Sequence, residues 1–211
     1  VGENEGNEFR YSDLIAGHFG TTHHKLEIST DRLLDALPAT IGAMSEPMVS
    51  HDNVGFYLLS QEVSRHLKVV QSGQGADEVF GGYHWYPPLV DSEDGVSDYL
   101  AAFSDRDFAQ FREAVDPAWV TQDFARIFVE SRFATDEGRN PVDKALHMDT
   151  TTMLVEDPVK RVDNMTMAFG LEARVPFLDH EVVEYAASIP AHFKVGEGGK
   201  HVLKEAAREI I

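Results

Sequence analysis

The run Ser72-Gly73-Gln74-Gly75-Ala76-Asp77-Glu78-Val79-Phe80-Gly81-Gly82-Tyr83 sets an acidic pair between two pairs of glycines. Glycine lets the backbone turn its N–H groups toward an anion, and a carboxylate beside them can hold a hard cation. The run is therefore a candidate cradle for phosphate and a divalent ion. It lacks the Gly-Lys-Ser/Thr of a Walker A loop and the G-x-G-x-x-G of a dinucleotide site, which excludes both. Asp77 and Glu78 also stand where a helix should begin, and helix capping accounts for them equally well.

Four other groups of residues have the types that chemistry uses. Gly199-Lys200-His201-Val202-Leu203-Lys204 offers a cation, although a lone Lys in an acidic chain is ordinarily a solvated surface group. His23 and His24 read as surface or packing groups more readily than as metal ligands. Glu172 and Arg174, on the apolar frame Leu171 to Leu178, form a candidate partly buried charge pair, with Met165 and Met167 as core filler. Tyr83, His84, Trp85 and Tyr86 suit either an apolar-walled pocket or the packing of a junction.

These residues must be held by a scaffold, and the apolar spacing outlines one. Residues 8 to 19 read as a helix stopped by Gly20, followed by a short strand over Lys25 to Ile28. A helix from about Asp31 ends before Pro38, and a second runs over Val54 to His66. Lys68 to Gln71 reads as a short buried strand. Strand, glycine turn and helix then follow in the order that brings ligands to strand C-termini in parallel α/β sheets. Residues 1–90 are the predicted α/β part. Pro87-Pro88 and Asp91 to Asp94 break the pattern, and residues 91–211 are predicted to be nearly all helical. Helices are expected over Tyr99 to Val115, Trp119 to Phe133, Val142 to Leu154 and Val182 to Ala187, with an exposed loop or lid at Thr135 to Asn140.

The glycine run resembles the S-G-x-G-x-D-E-x-F-G-G-Y signature of the asparagine synthase family. A second block, Arg161 to Ala168 followed by Gly170-Leu171-Glu172-Ala173-Arg174-Val175-Pro176-Phe177-Leu178-Asp179, resembles that family's D-R-x-S-M-A and L-E-x-R-x-P-F-L-D segment. Gly199 to Lys204 is similar to its K-x-x-L-R element, and Gly20-Thr21-Thr22-His23-His24 to its G-T-x-H-H strand. The blocks fall in the family's order along nearly the whole chain. Gly82-Tyr83-His84-Trp85-Tyr86-Pro87-Pro88 resembles in particular the branch that amidates N-acetylglutaminylglutamine.

The resemblance implies a truncated PP-loop ATP pyrophosphatase fold, α/β and Rossmann-like (adenine nucleotide alpha hydrolase-like), with a parallel sheet and a helical C-terminal portion. It implies an ATP-dependent carbon–nitrogen ligase that adenylates a carboxylate, releases pyrophosphate and passes the acyl group to ammonia from glutamine. The cofactors implied are ATP and Mg2+. Asp77 would hold Mg2+, and Lys200 would be the catalytic lysine. Ser72, Gly73, Gly75, Glu78 and Tyr83 would form the nucleotide loop, with Glu78 orienting it. Gln74 stands where asparagine synthetases carry Glu, and an amide cannot accept the proton of the attacking amine, so either another group or water takes that proton, as an asparagine synthetase would require, or the acceptor differs from aspartate. The family's S-G-G-x-D-S-S loop and its glutaminase Cys are not in the sequence, which implies an N-terminal glutaminase domain outside this chain and no full reaction by this segment alone.

Thirty-six acidic against 18 basic residues give a formal charge of −18, which disfavours nucleic acid and anionic membrane as partners. No apolar run reaches the roughly 18 residues of a membrane span, and the absence of Cys rules out thiolate chemistry and suits a reducing, cytoplasmic setting. A small-molecule carboxylate is the expected partner, with a homodimer as one possible assembly. Two alternatives use the same scaffold: a noncatalytic interaction or regulatory module, and a β-lactam synthetase-like ligase that closes an internal amine on the acyl group.

Overall fold

The computed structural model describes residues 8–48, 50–135 and 139–211. In chain order the regular elements are α1 (Phe9–Phe19), α2 (Thr30–Ala43), α3 (Asn53–Val63), β1 (Val69–Gln71), α4 (Ala76–Phe80), α5 (Gly95–Phe103) and α6 (Phe108–Ala114). There follow α7 (Phe124–Thr135), α8 (Pro141–Met148), α9 (Lys160–Met167), β2 (Glu172–Arg174), α10 (His180–Ser188), α11 (Ala191–Val195) and α12 (His201–Ala207). The described residues divide into two compact units: those within 1–72, 157–174 and 206–211 form one, and those within 73–156 and 175–205 form the other.

In the first unit, the Ser29 hydroxyl accepts the Arg32 N–H to cap α2, which continues through Pro38 instead of ending before it. Proline there removes one intrahelical bond, and the following turns carry on. α3 packs on α9, with the Arg161 guanidinium 5.2 Å above the Phe56 ring and Phe169, just beyond α9, 4.8 Å from Tyr57. Arg161 is 8% exposed, and its Nη1 donates to Ser50 Oγ at 2.7 Å and to Asp157 Oδ2 at 3.1 Å. A nearly buried guanidinium is retained because those oxygens meet its charge.

The sheet has two parallel strands, with Val69 opposite Glu172, Val70 opposite Ala173 and Gln71 opposite Arg174. β1 is not buried as expected, since Val69 is 55% exposed and only Val70 turns inward. Lys25 to Ile28 forms no strand, because its backbone finds no ladder partner among the described residues and an unpaired segment is not a strand. Glu172 and Arg174 do pair, at 3.2 Å, but both lie in solvent on β2 and not in a partly buried frame. Met165 is fully buried as core filler, whereas Met167 is 53% exposed on the opposite face of α9.

The second unit is helical apart from its loops. The segment read as one helix from Tyr99 to Val115 breaks at Ser104 to Asp107. There the Asp107 carboxylate accepts the Gln110 N–H and the Gln110 side chain accepts the Asp107 N–H, a reciprocal box that restarts the chain as α6. α7 begins at Phe124 and not near Trp119, with Asp123 Oδ1 accepting the Arg126 N–H. After α8 the chain loosens into π-helical turns over Asp149–Met153 and Val155–Val159 instead of closing at Leu154. Of the segment expected as a loop, residues 136–138 lie outside the described residues.

Two apolar clusters hold this unit. The larger gathers Tyr86, Leu89, Tyr99, Phe133, Val142 and Leu146. At its edge the Asp149 carboxylate accepts three side-chain donors: the Tyr99 hydroxyl at 2.6 Å, the Tyr86 hydroxyl at 2.8 Å and Trp85 Nε1 at 3.0 Å. The smaller centres on Val79, Phe80 and Ala186, with Leu178, Val202 and Leu203 against it, and so ties α4 to α10 and α12.

Candidate active site

The glycine run begins where the chain passes from the first unit to the second. Ser72 ends the β1 ladder by donating its N–H to the Arg174 carbonyl at 2.8 Å, and residues from Gly73 onward belong to the second unit. Ser72 and Gln74 are half-buried and Gly73 is exposed. Gly75 takes up a left-handed φ of 91° immediately before α4 and lies so close to Leu178 that a β-carbon would sit 2.1 Å from Cδ2. Only glycine satisfies both conditions. α4 is then held by its apolar residues, with Ala76, Val79 and Phe80 buried.

The two acids of the run point to different places. Asp77 is half-exposed, and its Oδ1 pairs with Lys200 Nζ at 2.8 Å. Glu78 is 1% exposed and accepts the Tyr83 hydroxyl at 2.8 Å. Burial raises the Glu78 carboxyl above its ordinary range; the Tyr83 bond opposes that shift, and the nearby charges of Asp77 and Asp149 reinforce it. Glu78 and Tyr83 thus brace the helix from inside, while Asp77 faces outward with Lys200.

The approach of Lys200 depends on backbone closeness that only glycine permits. A β-carbon on Gly82 would lie 2.0 Å from Asp77 Oδ1 and 3.0 Å from Lys200 Cε, and one on Gly199 would lie 2.6 Å from the Gly81 carbonyl oxygen. The Lys200 N–H donates to that same carbonyl at 3.3 Å, from a left-handed φ of 53°. Such a conformation is strained for a non-glycine residue and persists where the surroundings fix it. The sequence reading placed Asp77 and Lys200 in one site by resemblance alone. The glycines flanking each were the physical signal of their contact.

Tyr83 stacks on Trp85 with centroids 4.1 Å apart and planes 17° from parallel, and Tyr86 is fully buried in the larger cluster. Packing accounts for Trp85 and Tyr86. Glu197, His201 and Glu205 bring their ligand atoms within 4.8 Å of one another at the start of α12, a grouping the sequence reading missed, although its i, i+4, i+8 spacing was visible.

In chemical terms the site offers an ammonium and a carboxylate that neutralise each other across one hydrogen bond, at the mouth of a glycine turn. A half-exposed pair of this kind contributes only about 0–1 kcal/mol and opens at small cost when another charge arrives. Asp77 Oδ2 and the remaining lone pairs of Oδ1 are free to take a hard cation, which asks for one or two protein carboxylates and completes its shell with phosphate and water. The donor set therefore fits Mg2+. No helix among the described residues is long and apolar enough to cross a membrane.

The asparagine synthase family model matches residues 1–211, and the chain belongs to that family. A protein of Mycobacterium tuberculosis, provisionally named a glutamine-hydrolyzing asparagine synthetase, is 31% identical over 250 residues, covering 99% of this chain and 38% of its own. Glutamine-hydrolyzing asparagine synthetase 3 of Bacillus subtilis is 29% identical over 204 residues, 92% of this chain and 32% of its own. The glutamine-hydrolyzing asparagine synthetase of Mesocricetus auratus is 24% identical over 211 residues, 97% of this chain and 29% of its own. The chain thus spans about a third of the length of these relatives.

Proposed function

We propose that this chain is the synthetase portion of an ATP-dependent amidotransferase, which converts a carboxylate to an acyl adenylate with release of pyrophosphate and delivers the acyl group to ammonia from glutamine. The observation that carries the reading is the 2.8 Å Asp77–Lys200 pair at the glycine turn, within a chain whose relatives are named as glutamine-hydrolyzing synthetases. Gly73 and Gly75 line the turn with backbone N–H groups suited to phosphate oxygens, while the Ser72 N–H is taken by the Arg174 carbonyl and leaves its hydroxyl for the ligand. Asp77 would hold Mg2+, which supplies charge neutralisation at the phosphates when bound. Lys200, released from Asp77, places its ammonium against the negative charge that builds on the leaving diphosphate and on the oxyanion of amine attack. Glu78 and Tyr83 keep α4 in position through their buried hydrogen bond.

The missing steps fall to parts of the polypeptide outside this chain: a phosphate loop on the synthetase side and a glutaminase that supplies ammonia. Gln74 can orient an acceptor by its amide but cannot remove a proton, so the acceptor is proposed to be a carboxylate other than aspartate, with an N-acetylglutaminylglutamine-type dipeptide as the first candidate.

The test is made on the full-length protein that contains this chain. Pyrophosphate and AMP should appear from ATP only when a carboxylate acceptor and either glutamine or ammonium are present. Aspartate and the dipeptide are compared as acceptors. Formation of ADP and phosphate would overturn the adenylation chemistry, and aspartate as the better acceptor would overturn the reading of Gln74.

A further inference from the structure

Within the second unit, a cavity of about 260 Å³ lies between α4, α8, α10 and α11. Its polar lining includes Lys194, Arg139, Asp143, His147 and Thr150, and its apolar wall includes Val79 and Val183. Lys194 is 3% exposed, yet its ammonium has no hydrogen bond or ion pair with any described residue. The Lys194 nitrogen is not among the fully enclosed polar atoms that lack a partner, so it keeps contact with the cavity, where an arriving carboxylate replaces water as its acceptor.

The position is fixed by packing. α11 follows Pro190 and seals its buried residues Ala191 and Val195 into the larger apolar cluster. Gly81 approaches α11 so closely that a β-carbon there would lie 2.9 Å from Val195 Cγ1 and 3.4 Å from Lys194 Cβ. The lysine stem is thereby held at the cavity wall. Thr150 directs its hydroxyl at the Glu78 carbonyl at 3.5 Å, and Asn140 Nδ2 engages the Asp143 carboxylate at 2.8 Å. The donors left to a guest are the Lys194 ammonium and the Arg139 guanidinium.

We infer that this cavity binds a small aliphatic carboxylate, its oxygens meeting Lys194 and Arg139 and its carbon chain lying against Val79 and Val183. The lining sets two cations, Lys194 and Arg139, against the carboxyls of Asp143 and Glu78, the first engaged by Asn140 and the second by the Tyr83 hydroxyl, and this small positive excess suits a monoanion better than a phosphate dianion. Burial pulls the Lys194 pKa down, and the Arg139 charge adds to that while Asp143 opposes it, so an arriving carboxylate would stabilise the ammonium form. The lining includes Glu78 but neither Asp77 nor Lys200, and the inference does not depend on the proposed ligase activity.

The experiment titrates butyrate into the full-length protein by calorimetry, with no ATP present. Butyramide, of nearly the same shape but uncharged, serves as the control. Saturable binding of butyrate and none of butyramide is expected. Lys194→Met, which keeps the length of the stem, should weaken butyrate by at least about tenfold. Arg139→Gln, at an exposed position where folding is not at risk, should weaken it by severalfold, and Lys200→Met should leave it unchanged. The inference is overturned if butyrate does not saturate, if butyramide binds equally well, if Arg139→Gln and a folded Lys194→Met bind like the wild type, or if Lys200→Met alone abolishes binding.

Discussion

Lys200 Nζ lies 2.8 Å from Asp77 Oδ1, across a gap that exists only because residue 82 has no side chain. Gly82→Ala would place a β-carbon 2.0 Å from that oxygen, and the carboxylate would have to swing away. A misplacement of about 1 Å can cost about 100-fold in rate. Pyrophosphate release by the full-length protein should therefore fall by one to two orders of magnitude. Far-ultraviolet circular dichroism should stay as in the wild type.

Removing the pair should separate activity from stability. Because both groups are about one-third exposed, Lys200→Met should change unfolding free energy by no more than about 1 kcal/mol in a urea titration. The same substitution should abolish measurable pyrophosphate release. Normal turnover in this variant would remove Lys200 from the proposed machinery.

Gly75→Ala is expected to act in the opposite way, on stability first. The new methyl meets Leu178 at 2.1 Å, and φ at this residue is 91°, so crowding and left-handed strain combine. A loss of about 2–4 kcal/mol follows from the two together. Urea midpoints of the wild type and variant would measure it.

Asp149 is the single acceptor for Trp85, Tyr86 and Tyr99. Asp149→Ala would leave three donors without their acceptor in or beside the core, at a cost of about 3–5 kcal/mol. Asp149→Asn keeps one carbonyl acceptor and should recover part of that loss. Equal destabilisation by both changes would show that the hydrogen bonds do not govern the cluster.

Glu78 gives the fold a pH dependence of definite sign. Its folded carboxyl is raised above the ordinary value of 4.5, so the folded chain holds the proton where the unfolded chain has released it. Stability from this group is full below 4.5 and is lost as pH rises through the higher folded value. Glu78→Gln, which can still accept the Tyr83 hydroxyl, should gain in melting temperature relative to the wild type over the range of pH that lies above 4.5. A constant difference across that window would contradict the burial of the charge.

What could be read from the sequence was what local chemistry determines. The glycine turn and α4 were visible because Gly75 and Gly81 bracket a short apolar helix, and α3, α10 and β1 followed from their periodicity. β2 was hidden, because Glu172-Ala173-Arg174 reads as a partly buried charge pair until Lys68 to Ser72 offers its ladder. The break between α5 and α6 depended on a D-x-x-Q capping box that apolar spacing overrode. The π turns begin at Asp149, which lies 64, 63 and 50 residues from its donors Trp85, Tyr86 and Tyr99, a separation that no local window spans. Lys194 was passed over because a lysine between Phe193 and Val195 reads as a surface residue, and only the packing of α11 shows that it is not.

The carbonyl of Gly81 and the N–H of Lys200 are joined directly, main chain to main chain, with Gly199 pressed against the same oxygen. Loop length is thereby under tight control. Inserting one residue between Gly196 and Gly199 would shift the register of α12 by roughly 100° and carry the ammonium away from α4, even though no side chain had changed. In this part of the molecule, indels should be tolerated far less than substitutions, which is the reverse of what a glycine-rich surface turn ordinarily allows.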